Sequence, residues 1–542
     1  MSLTPSNAAR PMLVIAMLVV FLPLLSGEFV WDDHLLVVEN SLTDSLLNAG
    51  AMFRSDLWAG TPVPEADPGY YRPLVVLDLA VTRAIAGLSP FAHRLHNLLW
   101  HGLAVALLLR WLQAVLSSRL AATMGAAVFA VHPVQLEAVG FVSARNDPMA
   151  VAWLLIALLW LADRRPSRRA LFGGAVAACA AMLCKESVVF APVLLACAAR
   201  VQGNGWGSIR AHGAIATGFS VAASLRFAAG VGLPAQADGE RLWAVLGPSV
   251  GFYLDKLVWP LSESPVIHLG WSPPVPWWTA GIAAAGVAAI AVRGGPIARS
   301  GVLIAVLGFL PSLAAIAHVG AVVDRYLYLA MVGVAWMAAG AARHAAGRAA
   351  IATAVAAMVV MSVIQAPVWA NDRALWAAAI ERAPSGYAKG ALARTLEDTG
   401  DAVGAAHWYR EAVIQPPQPF HESCFNVTRI HLKLGDPKRA IAVGNEALEA
   451  GCDASAELVA PLALAYALEG EWASAIRTAR VIPTDPTGKA LVARLAAAAA
   501  MGDLEPLERA RDAEGPGLVD QVMVVLARGG ADAEAIRARL NR

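Results

Sequence analysis

Eleven apolar runs before residue 368 constrain this chain more than any other feature. They fall at roughly 10–26, 94–115, 120–132, 149–163, 170–184, 187–200, 211–230, 276–293, 300–317, 326–343 and 348–367. A helix needs about 20 mostly apolar residues to cross a hydrocarbon core, and inside it every backbone polar group must be bonded within the segment. The runs therefore predict a bundle of about 11 spans. Composition agrees: 58% of residues are hydrophobic and 15% charged, against about 25% charged in soluble domains. The first run lacks a small-x-small cleavage motif and reads as a retained helix.

Net charge is +1 and says little about partners, but its distribution is polarised. Arg119, the DRRPSRR cluster (Arg164, Arg165, Arg168, Arg169), Arg200 with Arg210, Arg293 with Arg299, and Arg343 with Arg348 occupy alternate loops. Basic loops mark the cytoplasmic side. The other side then receives residues 27–93, HPVQLEAVGFVSARND, CKES, 231–275, AVVDRYLY and everything after 367. Met1 falls inside and Arg542 outside.

After residue 368 the chain turns Ala-rich and charged, which divides it into a membrane domain, 1–368, and a tail, 369–542. Gly400, Gly435 and Gly470 are spaced 35 apart, each followed five residues later by Ala405, Ala440 or Ala475; Tyr409, Ala412 and Pro417 extend the first unit. A period near 34 with a small residue at a helix crossing is the pattern of tetratricopeptide repeats. Such units stack into a solenoid with a concave groove. A weaker unit surrounds Gly502. Cys424 and Cys452 can pair in an oxidising compartment, while Cys179, Cys184 and Cys197 lie in apolar runs.

Five polar clusters share the predicted outer side. Asp32 and Asp33 close the first run, and YYRPL supplies Tyr71 and Arg72. HPVQLEAVGFVSARND supplies His132, Glu137, Arg145 and Asp147; CKES supplies Lys185 and Glu186; AVVDRYLY supplies Asp324, Arg325 and Tyr326. Any one of them alone fits an interfacial anchor or a structural ion pair. Five on one side point to a site, because ionisable groups at a membrane boundary are costly to desolvate. Arg and Lys suit a lipid-linked phosphate, and one Asp can accept the proton of an acceptor hydroxyl. Glu137 and Asp147 either orient Arg145 or hold a divalent ion; hard oxygen ligands suit Mg2+ or Mn2+. His132 and Glu137 lack a zinc spacing, and no phosphate loop, nucleophile elbow or basic nucleic-acid surface is present.

FVWDDHLLVVEN, YYRPLVVLDLAV, FAHRLHNLLWHGL, HPVQLEAVGFVSARND, CKES and DRYLYL, in this order before a repeat tail, resemble the transmembrane and tetratricopeptide-repeat protein O-mannosyltransferases and their bacterial relatives. The resemblance implies an all-α, GT-C-like polytopic domain followed by an α-solenoid. It implies inverting transfer of a sugar, typically mannose, from a polyprenyl-phosphate carrier to a protein hydroxyl outside the cytoplasm, here at a bacterial inner membrane. The family's acidic pair matches Asp32 and Asp33, either of which would be the base, and its Arg before the LYL stretch matches Arg325. Arg325, Lys185, Arg145 and Arg72 are then the phosphate-binding candidates, with His132, Glu137, Asp147, Glu186, Tyr71 and Tyr326 in support. Ala144 stands where the family has Gly. Two other readings remain: glycosyl transfer to a lipid or glycan, and a non-enzymatic membrane-anchored repeat scaffold.

Overall fold

The computed structural model describes residues 5–63, 69–232, 249–257, 266–268, 277–414, 420–481, 489–514 and 516–541. Most of the expected 231–275 region, Pro417 and both chain ends lie outside these residues. Two compact units emerge, Met1–Ala383 and Pro384–Arg542.

Helices cover all eleven apolar runs of the first unit. Four segments are long and apolar enough to cross a membrane: Pro90–Val115, Val142–Trp160, Pro296–Val319 and Ala345–Trp369. The others are shorter, less apolar or broken by a tight turn, as where Leu22–Ser26 continues the helix Pro5–Phe21 as a 3-10 turn. Apolar side chains such as Val14, Ile15, Val306, Leu310, Val360 and Ile364 face outward, as a lipid-facing surface requires. The chain is an integral membrane protein.

Small residues let these helices approach closely. A Cβ on Gly333 would strike the backbone of Gly301 and Ala305, one on Gly125 the carbonyl of Ala335, and one on Gly218 the carbonyl of Ala175. Lipid tails are as apolar as leucine, so close backbone packing replaces hydrophobic driving force between spans.

Three elements depart from the expected pattern. The helix Pro73–Ala86 lies in a stretch read as an external loop. A two-stranded antiparallel ribbon pairs Val266–His268 with Ala321–Val323, in register Val266↔Val323, just ahead of Arg325. The helix Asp372–Arg382, past the change of composition at 368, belongs to the first unit.

The second unit is built of helical hairpins: Gly386–Asp398 with Ala402–Val413, His421–Lys433 with Pro437–Glu449, and Ala456–Leu468 with Trp472–Ala479. Gly400, Gly435 and Gly470 turn each hairpin at φ of 89°, 76° and 76°, a region that favours glycine. Ala405, Ala440 and Ala475 are fully buried. Gly502 (φ 96°) and Gly530 (φ 77°) turn two further pairs. Cys424 and Cys452 form a disulfide within the second hairpin and the loop after it.

Candidate active site

The loop after the first helix is held from three directions. Arg94, fully buried, donates to the carbonyls of Leu24 (2.8 Å), Trp369 (2.7 Å) and Glu28. Trp31 adopts φ 54°, the one non-glycine positive φ among the described residues. A bulky residue in that region is an outlier which its surroundings must over-determine. They do: Trp31 N–H donates to Asp372 Oδ1 at 2.7 Å, and the indole stacks on Phe141 at 5.3 Å and 17°. Asp372 also meets His34 Nε2 at 2.8 Å.

This kink separates the two acids. Asp33 is fully buried and accepts four hydrogen bonds, from Ser143 N (2.7 Å), Ser143 Oγ (2.7 Å), Val142 N (3.1 Å) and Val30 N (3.2 Å). Burial pushes its carboxyl up, against the bonds from Ser143. Asp32 is half-buried and lies close enough to Arg325 to favour the guanidinium charge.

Arg325 sits in the 3-10 turn Asp324–Leu327. Its backbone N–H donates to Glu137 Oε2 at 2.7 Å and its guanidinium to Glu137 Oε1. The guanidinium carbon is 5.2 Å from the ring centres of Trp31 and Phe141 and 5.6 Å from that of Tyr326. Burial drives Glu137 up to about 7, with Arg325 opposing. Asp324 pairs not with Arg325 but with Lys256, at 3.1 Å.

Lys185, at the end of the helix Arg168–Cys184, bonds Asp147 Oδ1 at 2.6 Å and lies 5.7 Å from the Tyr326 ring centre. Burial lowers its ammonium pKa, with Asp147 opposing. Arg72 bonds Glu186 Oε1 at 2.9 Å and lies over Tyr70. Tyr326 feels Arg325, Arg72 and Asp147. The fold thus gathers Asp32, Arg325, Glu137, Lys185, Asp147, Arg72, Glu186 and Tyr326 around one aromatic surface. Asp147 Oδ2 and Glu186 Oε2 are buried without a hydrogen-bond partner.

Three expected residues stand differently. Arg145 is fully buried, with Nε on Asn97 (2.6 Å), Nη1 on Asp78 (2.9 Å) and Thr82 (2.8 Å), and Nη2 on the carbonyl of His93 (2.9 Å). Its carboxylate partner is Asp78, not Glu137 or Asp147. Tyr71 OH donates to the carbonyl of Phe53 at 2.9 Å, and its ring packs with Leu183 and Ala222. His132 caps the turn Pro133–Gln135, and burial lowers its pKa to about 4. No three His, Cys, Asp or Glu side chains form a metal-holding group among the described residues. Both oxygens of Glu137 and one of Asp147 bond to cationic residues instead.

Sequence reasoning missed Arg94, Asp78, Lys256 and Asp372. Asp78 and Arg94 did carry a signal, as charges within the helical stretches LVVLDLAV and FAHRLHNLL, where an ionisable group needs a partner.

No protein-family profile matches the chain, and no solved structure matches it. Curated proteins do. It is 32% identical over 181 residues to protein O-mannosyl-transferase Tmtc1 of Drosophila melanogaster, covering 32% of this chain and 21% of that protein. Drosophila Tmtc2 is 35% identical over 190 residues (33% and 20%), and mouse TMTC2 30% over 142 (26% and 17%). Its homologues are protein O-mannosyl-transferases. The matched stretch spans about a fifth of the length of these relatives. The resemblance seen in the ordered motifs is borne out.

Proposed function

We propose that this chain is a membrane glycosyltransferase moving a sugar, mannose by analogy with its relatives' names, from a polyprenyl-phosphate carrier to a protein hydroxyl. The observation that carries this is the gathering of Asp32, Arg325, Lys185 and Arg72 around Tyr326 where apolar helices end. A lipid-linked phosphate can reach such a place while its tail stays in the bilayer.

In this mechanism the acceptor oxygen bonds to the anomeric carbon as the carbon–oxygen bond to phosphate breaks, with inversion. The acceptor proton passes to the Asp32 carboxylate. The leaving phosphate keeps the bonding electrons and gains charge, which Arg325 and Lys185 stabilise more in the transition state than in the ground state. Asp33, with four donors on its carboxylate, is the positioning residue of the pair. Glu137 and Asp147 hold Arg325 and Lys185 in place, so the proposed step is derived without Mg2+ or Mn2+. The Cys424–Cys452 disulfide supports an extracytoplasmic tail, since disulfides persist in oxidising compartments such as the periplasm. The basic loops support a bacterial inner-membrane orientation.

The test is transfer by purified protein from a polyprenyl-phosphate mannose to Ser- and Thr-containing peptides, read by mass spectrometry. Arg325→Lys keeps the charge but loses the planar fork, so turnover should fall clearly with donor affinity little changed. Full transfer by Asp32→Asn and Arg325→Lys alike would refute the assigned site. A glycosylated lipid in place of peptide would favour the sister activity.

A further inference from the structure

The end of the membrane unit opposite Arg325 holds a cavity of about 320 Å3. The helices Asn146–Trp160 and Arg168–Cys184 run between the two ends, since Asp147 and Lys185 lie at the first and Leu161 and Ser167 at the second. Trp111, Val115, Leu161 and Leu195 supply apolar wall, and Arg164, Asn204 and Ser208 supply polar rim. Long-range hydrogen bonds assemble it. Gln202 Nε2 donates to the carbonyl of Ala114 at 3.0 Å, and Arg164 donates to Asn204 Oδ1 and to the carbonyl of Gly203.

The surroundings point to an anionic, amphipathic occupant. The loops around the cavity are strongly basic. Arg164 lines the cavity and is exposed, and Arg165, Arg200 and Arg210 lie within two residues of lining residues along the chain. The one acid there is Asp163, exposed and itself lining the cavity. Trp206 is 70% exposed beneath Arg200, whose guanidinium lies 4.9 Å from its ring centre, and Ile209 is 87% exposed. Exposed Trp beside Arg is the composition of a headgroup-level belt.

We infer that this cavity binds the phosphodiester headgroup of an anionic glycerophospholipid, with an acyl chain against the apolar wall. The arginines supply the charge, and the site lies at the opposite end of the helices from the proposed transfer chemistry. Basic pockets between spans on the cytoplasmic side suit such headgroups.

Native mass spectrometry of the full chain, purified in detergent and offered equimolar phosphatidylglycerol and phosphatidylcholine, tests it. Phosphatidylglycerol should be retained preferentially. The exposed changes Arg164→Gln and Arg200→Gln should each weaken retention about fivefold, and Asp163→Asn should strengthen it. Unaltered thermal unfolding of lipid-free variants would show that they remain folded. Equal retention of the two lipids, or retention insensitive to all three substitutions, would overturn the proposal. So would displacement of the lipid by millimolar inorganic phosphate, which would make this a simple anion site.

Discussion

Arg325 in the membrane unit and Arg410 in the repeat unit each pair with one glutamate, yet the two pairs do different work. Glu137 is 0% exposed and Arg325 17%, whereas Arg410 and Glu446 are 37% and 34% exposed. In the repeats, ion pairs decorate helices already held by buried alanines and hairpin glycines, and they cost little because water still reaches them. In the membrane unit the charges are desolvated, and desolvation can exceed the Coulombic gain. Charge is buried there in spite of stability, and chemistry is the reason proposed for it.

The sharpest break of that comparison is Asp32→Asn. General-base contributions run roughly 10²–10⁴-fold, so transfer should fall by that order while thermal unfolding stays within about 0.5 kcal/mol. Glu446→Gln should leave transfer unchanged. Asp33→Asn behaves otherwise, because it disturbs a carboxylate bonded to Ser143, Val142 and Val30; transfer and stability should fall together.

The next effect is read in stability. Glu137→Ala leaves Arg325 buried without its carboxylate, and removing one partner of a buried pair costs about 3–5 kcal/mol. Glu446→Ala should cost at most about 1 kcal/mol. Denaturation of the full chain, followed separately for each unit, compares them. Equal losses would mean that burial does not separate the two pairs.

These contrasts bear on what could be read from sequence. The spans were legible because apolar length is a local property, and the repeats because Gly400, Gly435 and Gly470 recur in phase with Ala405, Ala440 and Ala475. Arg325 and Lys185 were legible as cations at run ends, and Arg72 as part of the YYRPL motif. The partners were not. Nothing local tells that Asp324 turns to Lys256, that Arg145 turns to Asp78, or that Asp372, beyond the last span, holds the Trp31 amide. Each is a long-range choice set by packing. Asp32 and Asp33 looked equivalent because a positive φ at Trp31, which leads into them, cannot be read from residue type.

Glycine gives a smaller contrast. Gly333 faces the backbone of the neighbouring helix, so Gly333→Ala should force the helices apart at about 1–3 kcal/mol. Gly400 meets nothing within 4 Å, but its φ is 89°, so Gly400→Ala costs only the left-handed conformation, about 1 kcal/mol. Thermal unfolding of the two variants ranks crossing against turn.

The smallest expected effect is a pH dependence confined to the membrane unit. Burial raises Glu137 from an ordinary 4.5 to about 7. The native state therefore holds this proton more tightly than the unfolded chain does. The stability it contributes is fully present below about pH 4.5 and is lost as pH rises through about 7. Transfer should run the opposite way. Only the carboxylate form accepts from both the backbone N–H and the guanidinium of Arg325, so donor turnover should rise, by less than about tenfold, as pH passes through about 7. Glu137→Gln removes the titration and should flatten both limbs, leaving turnover near the low-pH value of the parent. The exposed Arg410–Glu446 pair should contribute nothing to either limb. If the turnover limb near pH 7 survived in Glu137→Gln, another group would be setting it, and the link between Glu137 and the aim of Arg325 would fail.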